Sequence, residues 1–438
     1  MEWWLVLICI LGSLIVLMAT GMPVAFCFLL VNMIGVYLLM GGEAGLRIIA
    51  LSMFESVALF TLVAVVMFML MGQIMFHSGM AINMIDTLDK LLGRMPGRLG
   101  VLAVAGGTLM ATLSGASMAT TAVLGSQLVP EMERRGYKKP MSLGPILGSG
   151  GLSIMIPPSG QAVILSALAG ISVAGVLIGG IVPGVLMAFF YSGYIVLRCW
   201  LQPSIAPSYK VVSIPISEKL ITTVKYVLPL GFIVFMVIGI IFLGVATPSE
   251  AAATGVAGTL ILVACYKKLN RQVIKKSLWS TLRTVIMVLF IFAASKTFSE
   301  LMAFSGASRG LVGWIASLQI SPIQVVIGMM VTILVLGMFM STVTIMMISL
   351  PIFMPVINNM DFNPIWFGLL VLLAVEMSVT SPPFGLTLFV MKGVAPADTT
   401  MGDVYRSALP FLGCDLIVMA LIIAFPAMPL WLPSLMRG

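Results

Sequence analysis

The chain has 438 residues, of which 60% are hydrophobic and 9% charged, with a formal net charge of +8 and a mean hydropathy of +1.16. A soluble domain carries about 25% charged residues, so the composition excludes a large soluble catalytic or binding domain and describes an integral membrane protein. In a soluble protein the positive charge would point to nucleic acid; here it belongs to basic cytoplasmic loops, and nucleic-acid binding is set aside.

Apolar runs of roughly 20 residues recur from end to end, the pattern of helical spans rather than a barrel. The predicted fold class is therefore all-α and polytopic. Cys9, Cys27, Cys199, Cys265 and Cys414 share no CxxC spacing, and His77 is the only histidine. A disulfide framework, a histidine metal cluster and a catalytic triad are thereby excluded. The first 20 residues carry Glu2 where a signal peptide has basic residues, and another apolar run follows at once. They read as an uncleaved first helix.

In chain order, spans are predicted over 3–19 and 23–40, split by Thr20-Gly21-Met22-Pro23. A polar link with Glu43 and Arg47 leads to a third span at about 56–77, and 79–98 has the pattern of an amphipathic interfacial helix. Residues 99–130 are apolar but interrupted at Ser114-Gly115-Ala116-Ser117. Lys90, Arg94 and Arg98 precede this stretch and Arg134, Arg135, Lys138 and Lys139 follow it, so both ends belong on the cytoplasmic side. It reads as a re-entrant hairpin with its tip at 114–117. A span at 142–170, broken by Pro157-Pro158, and another at 172–199 close the first half.

Residues 200–222, with Pro203, Pro207 and Pro215, form the longest polar link and separate the halves. Spans at about 224–245 and 250–266 flank Ala246-Thr247-Pro248-Ser249-Glu250. A basic loop (Lys267, Lys268, Arg271, Lys275, Lys276) precedes a span at 282–303 and a second interfacial piece at 305–320. A second hairpin at 322–357, tipped by Ser341-Thr342-Val343-Thr344, has nearly uncharged flanks and should open to the opposite side. A second broken span, 364–391 through Pro382-Pro383, and a last span, 407–426, complete the chain.

Ser153 and Ser378, Pro157 and Pro382, Pro158 and Pro383, and Gly160 and Gly385 are each 225 positions apart, as are Pro23 and Pro248, Ser117 and Thr342, and Pro130 and Pro355. This is an internal duplication. Five spans plus one hairpin per half is an odd number of crossings, which inverts the second copy relative to the first. With both termini periplasmic, 19 of the 23 Lys and Arg residues fall at cytoplasmic positions; Arg47, Lys296, Arg309 and Arg437 do not.

Proline lacks an amide hydrogen and clashes with the preceding turn, so each pair breaks a helix. Inside a membrane such a break is tolerated where the freed carbonyls meet protein, water or an ion. At each hairpin tip a half-helix ends in unpaired carbonyls and the next begins with free amides. Carbonyls with Ser and Thr hydroxyls are hard ligands suited to Na+, and amide ends favour an anion. Two cation sites follow, with an anionic solute between them. The first comprises Ser114, Gly115, Ser117, Ser153, Ile156 and Pro158; the second comprises Ser341, Thr342, Thr344, Ser378, Thr380 and Pro383. Candidate substrate contacts are Ser117, Ser159, Gly160, Thr342 and Gly385. No other metal and no organic cofactor is expected.

Intramembrane charges are functional suspects. Glu376 either tunes the second cation site or faces an aqueous vestibule. Lys296 and Glu300, one turn apart, are expected to neutralise each other. Asp415 and Glu55 are expected at the interface, and His77 at a solvated span end.

Thr20-Gly21-Met22-Pro23-Val24-Ala25-Phe26, the run from Ala246 to Ala253 (ATPSEAAA) and Pro157-Pro158-Ser159 resemble the large membrane subunit of TRAP (tripartite ATP-independent periplasmic) transporters, and the resemblance covers essentially the whole chain. It implies an elevator. A transport domain (99–199 and 321–438) would move across a scaffold (1–98 and 223–320) in a bacterial inner membrane. It also implies Na+-driven uptake of organic acids, a separate four-span membrane subunit and a periplasmic binding protein. No Walker A motif is present, in keeping with an ion gradient as energy source. A stand-alone carrier like the divalent-anion/sodium symporters is the alternative, but those would show Ser-Asn-Thr at the tips, and neither tip contains Asn. An intramembrane serine protease would need a GxSxG, which is missing.

Overall fold

The computed structural model describes residues 2–92, 95–114, 117–207 and 215–436, and the regular elements among them are all helical. α1 (Trp3–Ala19) and α2 (Val24–Leu39) are apolar helices where the first two spans are predicted. They are joined at Gly21, whose φ of +83° reverses the chain, and at Pro23, which caps α2. The predicted polar link at 43–55 is instead helix α3 (Glu43–Val57), set at 51° to α4 (Thr61–His77). Gly45, Ile49, Ser52 and Ser56 recur at helical spacing as its buried stripe. Three of those four are small or polar, so hydrophobic periodicity could not reveal the helix.

α5 (Met80–Leu91) is amphipathic as predicted, burying Met84 and Ile85 while Asp86 is exposed. The first hairpin is α6 (Arg98–Ser114) and α7 (Ser117–Arg134), and the first broken span is α8 (Lys139–Met155) and α9 (Gly160–Ala169), bent by 47°. α10 (Val173–Gly179) and α11 (Ile181–Leu201) make the next span. α12 (Ile216–Thr222) lies where a polar link was predicted and runs through a π turn at Thr223–Val227 into α13 (Leu228–Phe242).

α14 (Pro248–Cys265) opens with a capping box in which the Thr247 amide donates to Glu250 Oε2 at 2.8 Å. α15 (Arg271–Phe304) is 34 residues long and begins inside the predicted basic loop, capped by Asn270, which accepts from the Val273 amide at 2.8 Å. At 1.5 Å per residue it extends about 50 Å, beyond a hydrocarbon core of ~30 Å, so Arg271, Lys275 and Lys276 occupy a protruding end. α16 (Ala307–Ser317), the second hairpin α17 (Pro322–Gly337) and α18 (Thr342–Asn359), and the second broken span α19 (Pro364–Thr380) and α20 (Leu386–Val394) follow. α21 (Met401–Ala424) and α22 (Ala427–Ser434) end the described chain; α22 was not anticipated.

The bounds of α7 and α18 differ by 225 at both ends, as do those of α8 and α19, and the Pro157-Pro158 and Pro382-Pro383 bonds are both cis. The halves diverge at α3–α4, whose counterpart is the unbroken α15. α8 and α19 pack against each other at the centre: Met141 to Met155 and Trp366 to Thr380 are buried without exception. A helix apolar all round belongs in such a position. α6 and α7 cover α8, α17 and α18 cover α19, and α21 packs on both. A second apolar cluster joins α1, α2, α3, α15 and α16 through Leu14, Phe28, Phe298 and Leu301, meeting α18 at Met347 and Ile348. There Asn32 Nδ2 donates to the Ala294 carbonyl at 2.7 Å.

Candidate functional site

The site is built from the two helix breaks outward. Pro157 and Pro158 have no N–H to give the carbonyls of Ser153 and Ile154, nor have Pro382 and Pro383 for Ser378 and Val379, although the Ser378 carbonyl accepts from the Ser381 amide at 3.2 Å. At the second break the carbonyls of Val379 and Ser381 crowd Gly385, lying 2.5 and 2.8 Å from where a Cβ would stand. Only glycine admits that approach.

Ser114 (as a side chain) and Gly115 lie outside the described residues. Ser117, the first residue of α7, is buried, and its Oγ donates to Glu376 Oε1 at 2.7 Å, across 259 positions and between the two halves. The Ser117 carbonyl lies 3.3 Å from the Cβ position of Gly150. Ser117 therefore sits between α8 and α19, beside Gly150 rather than Pro157-Pro158. Ser153 Oγ donates to Gly150 O at 2.8 Å, Ile156 packs on Gly184 of α11, and Pro158 is buried. Ser159 caps α9, accepting from the Ala162 amide at 3.3 Å, and Gly160 opens that helix beside Met69.

In the second half Ser341 caps α18, accepting from the Thr344 amide at 3.4 Å, with the two hydroxyls 2.8 Å apart; Thr342 and Thr344 are buried. Ser378 Oγ donates to Val375 O at 2.6 Å, and Thr380 Oγ1 to Glu376 O and Met377 O, each at 3.1 Å. These hydroxyls bond back to their own helix while keeping lone pairs free to accept a ligand. α17 crosses α19 where Gly337 meets Ser378, whose Cβ lies 2.3 Å from the position a Gly337 Cβ would take. Pro383 and Phe384 are exposed, unlike Pro157 and Pro158, and the Phe339 and Phe384 rings lie 5.2 Å apart. The Pro383 carbonyl accepts from Tyr405 Oη at 2.6 Å.

Glu376 is 1% exposed and so faces no vestibule; it partners the first tip rather than the second. Asp415 is a clear correction. It is 4% exposed in the middle of α21 and accepts a hydrogen bond from Tyr191 of α11. The predicted start of that span was six residues late, which displaced Asp415 toward an end. Glu376 and Asp415 line one cavity of about 10 Å³ with Gly148, Gly151 and Thr380, room for a single water. Among the described residues Glu376 Oε2 has no hydrogen-bond partner, and neither carboxylate has a cationic one. Their isolation in an apolar span was readable as a signal; their convergence was not.

Among the described residues Lys296 is exposed and not ion-paired with Glu300, so the expected neutralisation fails; Glu55 is exposed. His77 ends α4, its Nε2 3.3 Å from Ser280 Oγ. At one end of the central block Lys139 Nζ donates to Glu133, Asp398 and Thr399 at 3.0, 2.9 and 2.8 Å. This ties the base of the first hairpin to the loop between α20 and α21. The hydrogen bond from Lys139 holds the Asp398 carboxyl below the usual range. Among the described residues no group of three His, Cys, Asp or Glu could hold a metal ion.

A family model described as "Tripartite ATP-independent periplasmic transporter, DctM component" matches residues 11–428. The C4-dicarboxylate TRAP transporter large permease protein DctM of Pseudomonas aeruginosa is 31% identical over 391 residues, 89% of this chain and 90% of that protein. The ectoine TRAP transporter large permease protein TeaC of Halomonas elongata is 27% identical over 431 residues, 97% of this chain and 98% of that protein. Among solved structures, the YdaH transporter of Alcanivorax borkumensis shares the fold with a TM-score of 0.63 at 14% identity, covering 89% of this chain and 91% of that one. With one family model running through nearly its whole length, the chain belongs to the DctM component of the tripartite ATP-independent periplasmic transporters, the large permease.

Proposed function

We propose that this permease carries a small organic anion inward across the bacterial inner membrane, coupled to Na+, by moving its central block against an outer scaffold. The observation that carries the reading is the pair of proline-broken helices, α8 and α19, packed together and each met by a hairpin. Freed carbonyls and tip hydroxyls supply hard oxygen ligands in both halves, and half-helix N-termini at Ser117, Ser159-Gly160, Thr342 and Gly385 supply amides for an anion. The cation sets are those read from the sequence, with one refinement. Ser117 donates its proton to Glu376, so its lone pairs are aimed away from that carboxylate and free for the ion.

The moving block comprises α6–α11 and α17–α22, and α1–α5 with α13–α16 stay fixed. The Lys139–Asp398 tie suits an inverted topology, which puts both partners on one side of the membrane; the basic loops assign that side to the cytoplasm. A four-span membrane subunit completes the scaffold, and a periplasmic binding protein selects and delivers the solute. Relatives named for a C4-dicarboxylate and for ectoine suit a membrane site that discriminates little. C4-dicarboxylates, sugar acids, keto acids and sulfonates are the candidate cargo.

Proteoliposomes containing this chain and its small partner should accumulate solute only with an inward Na+ gradient and the cognate binding protein. Equal transport without the binding protein would sink the tripartite reading in favour of a stand-alone symporter. Equal transport without Na+ would sink the coupling.

A further inference from the structure

α8 carries two adjacent glycines, Gly150 and Gly151, in its buried interior. Glycine inside a helix is disfavoured, and here each one makes room for oxygen atoms. The Cβ position of Gly150 lies 2.5 Å from Thr121 Oγ1, 3.3 Å from the Ser117 carbonyl oxygen and 3.5 Å from Ser117 Oγ. That of Gly151 lies 3.0 Å from Glu376 Cγ and 3.1 Å from Glu376 Oε1. Three oxygens of α7 thus converge on a cradle that a single methyl group would fill, with a carboxylate beside it.

Thr121 is fully buried, and among the described residues its hydroxyl has no hydrogen-bond partner. Threonines within helices ordinarily donate to the carbonyl four residues back, as Thr259, Thr281 and Thr297 do to Gly255, Ser277 and Ala293. A hydroxyl buried without a partner is costly, so that of Thr121 is set for a ligand from outside the chain. Glu376 accepts from Ser117 Oγ at 2.7 Å and, among the described residues, has no cationic partner. Met346 and Val375 stand 225 positions after Thr121 and Gly150, both fully buried. The second half therefore has neither the hydroxyl nor the bare backbone, and the arrangement occurs in one half only.

Resting on the Na+-coupled reading above, we propose that the first ion is held at Gly150 by Thr121 Oγ1, Ser117 O and Ser117 Oγ, with Glu376 as its counter-charge. This moves the ion away from the Pro157-Pro158 break and adds Thr121, from the interior of α7, to its ligands. Hydroxyl and carbonyl oxygens are hard ligands that suit Na+. Ser117 gives its proton to Glu376, which turns the lone pairs of its oxygen toward the ion. Glu376 is a positioning residue: an outer carboxylate that orients a ligand and offsets the charge it holds. A water in the cradle would satisfy Thr121 but leave Glu376 uncompensated. Because α19 belongs to the second half, an ion bound in the first half is balanced by the other.

The test uses the purified full chain in detergent. Its thermal midpoint is followed as NaCl replaces choline chloride at constant ionic strength, since an ion that binds only the folded state raises the midpoint. Wild type should be stabilised by Na+. Thr121→Val keeps the shape and drops the hydroxyl. It should raise the half-maximal Na+ concentration about tenfold and leave the Na+-free midpoint at or above wild type, because no hydrogen bond is lost. Thr121→Ser should retain the Na+ response. Glu376→Gln can still accept from Ser117 but carries no charge, and should weaken Na+ at least about tenfold. Gly150→Ala should abolish the response by filling the cradle. An unchanged half-maximal Na+ concentration in Thr121→Val, or a lowered Na+-free midpoint, would overturn the site while leaving Na+ coupling intact. A wild-type midpoint indifferent to Na+ would overturn both.

Discussion

Gly337→Ala is the most direct test of how the second hairpin is seated. The new methyl carbon would stand 2.0 Å from Ser378 Oγ, 2.3 Å from Ser378 Cβ and 2.8 Å from Ile345 Cδ1. Rotating the hydroxyl relieves only the first contact. Carbon atoms rest about 3.5–4.0 Å apart, so α17 must withdraw from α19 by roughly 1 Å, a change that typically costs about 1–3 kcal/mol. The same displacement would spoil an ion site at Ser378, where ligand distances are held to about 0.2 Å. We expect a lower thermal midpoint for the purified protein and a several-fold higher Na+ concentration for half-maximal uptake in proteoliposomes. Adding Ser378→Gly removes the Cβ that is struck and should recover the midpoint but not the Na+ dependence, a coupling visible in a double-mutant cycle. A Gly337→Ala protein with wild-type midpoint and Na+ dependence would refute the close seating of the tip.

Ser117→Ala leaves Glu376 without its donor and should cost about 1–3 kcal/mol. Ser117→Ala and Thr342→Ala should also each raise the half-saturating Na+ concentration, and unchanged values in both would remove these hydroxyls from the ligand sets. Tyr191→Phe strips the buried Asp415 of its hydrogen bond and should lower the thermal midpoint, whereas Tyr191→Phe with Asp415→Leu should recover most of the loss; equal midpoints for wild type and single variant would show the bond to be idle. Lys139 depresses the Asp398 carboxyl, so its stabilisation is present above the ordinary aspartate value near 3.9 and is lost as pH falls through the depressed one. The stability difference between wild type and Asp398→Asn should therefore vanish in acid, and a difference that persists at low pH would contradict the assignment.

Some of this protein is written locally and some is not. The double prolines break α8 and α19 wherever those helices pack, because the missing N–H groups are a property of two residues. The Thr247–Glu250 box starts α14 for the same reason. The 225-residue offset also survives folding, to the residue, in α7, α8, α18 and α19. α3 escaped because its buried stripe is Gly45, Ser52 and Ser56 around a single isoleucine; small residues bury by close approach, which hydropathy does not register. α15 outran its apolar core because Asn270 caps it upstream of three basic residues that helices tolerate well.

The candidate site divides along the same line. Sequence alone determined that two breaks exist, that two tips accompany them, and that the nearby groups are hydroxyls and carbonyls rather than cationic side chains. Tertiary structure alone decided the partners: Ser117 with Glu376 from the other half, Asp415 with Tyr191 across 224 positions, and both carboxylates on one small cavity. A carboxylate in an apolar run declares its cost at once, since desolvation depends only on burial. Which helix offers the compensating donor depends on crossing geometry and rotation about helix axes, and neither is carried by any short stretch of chain.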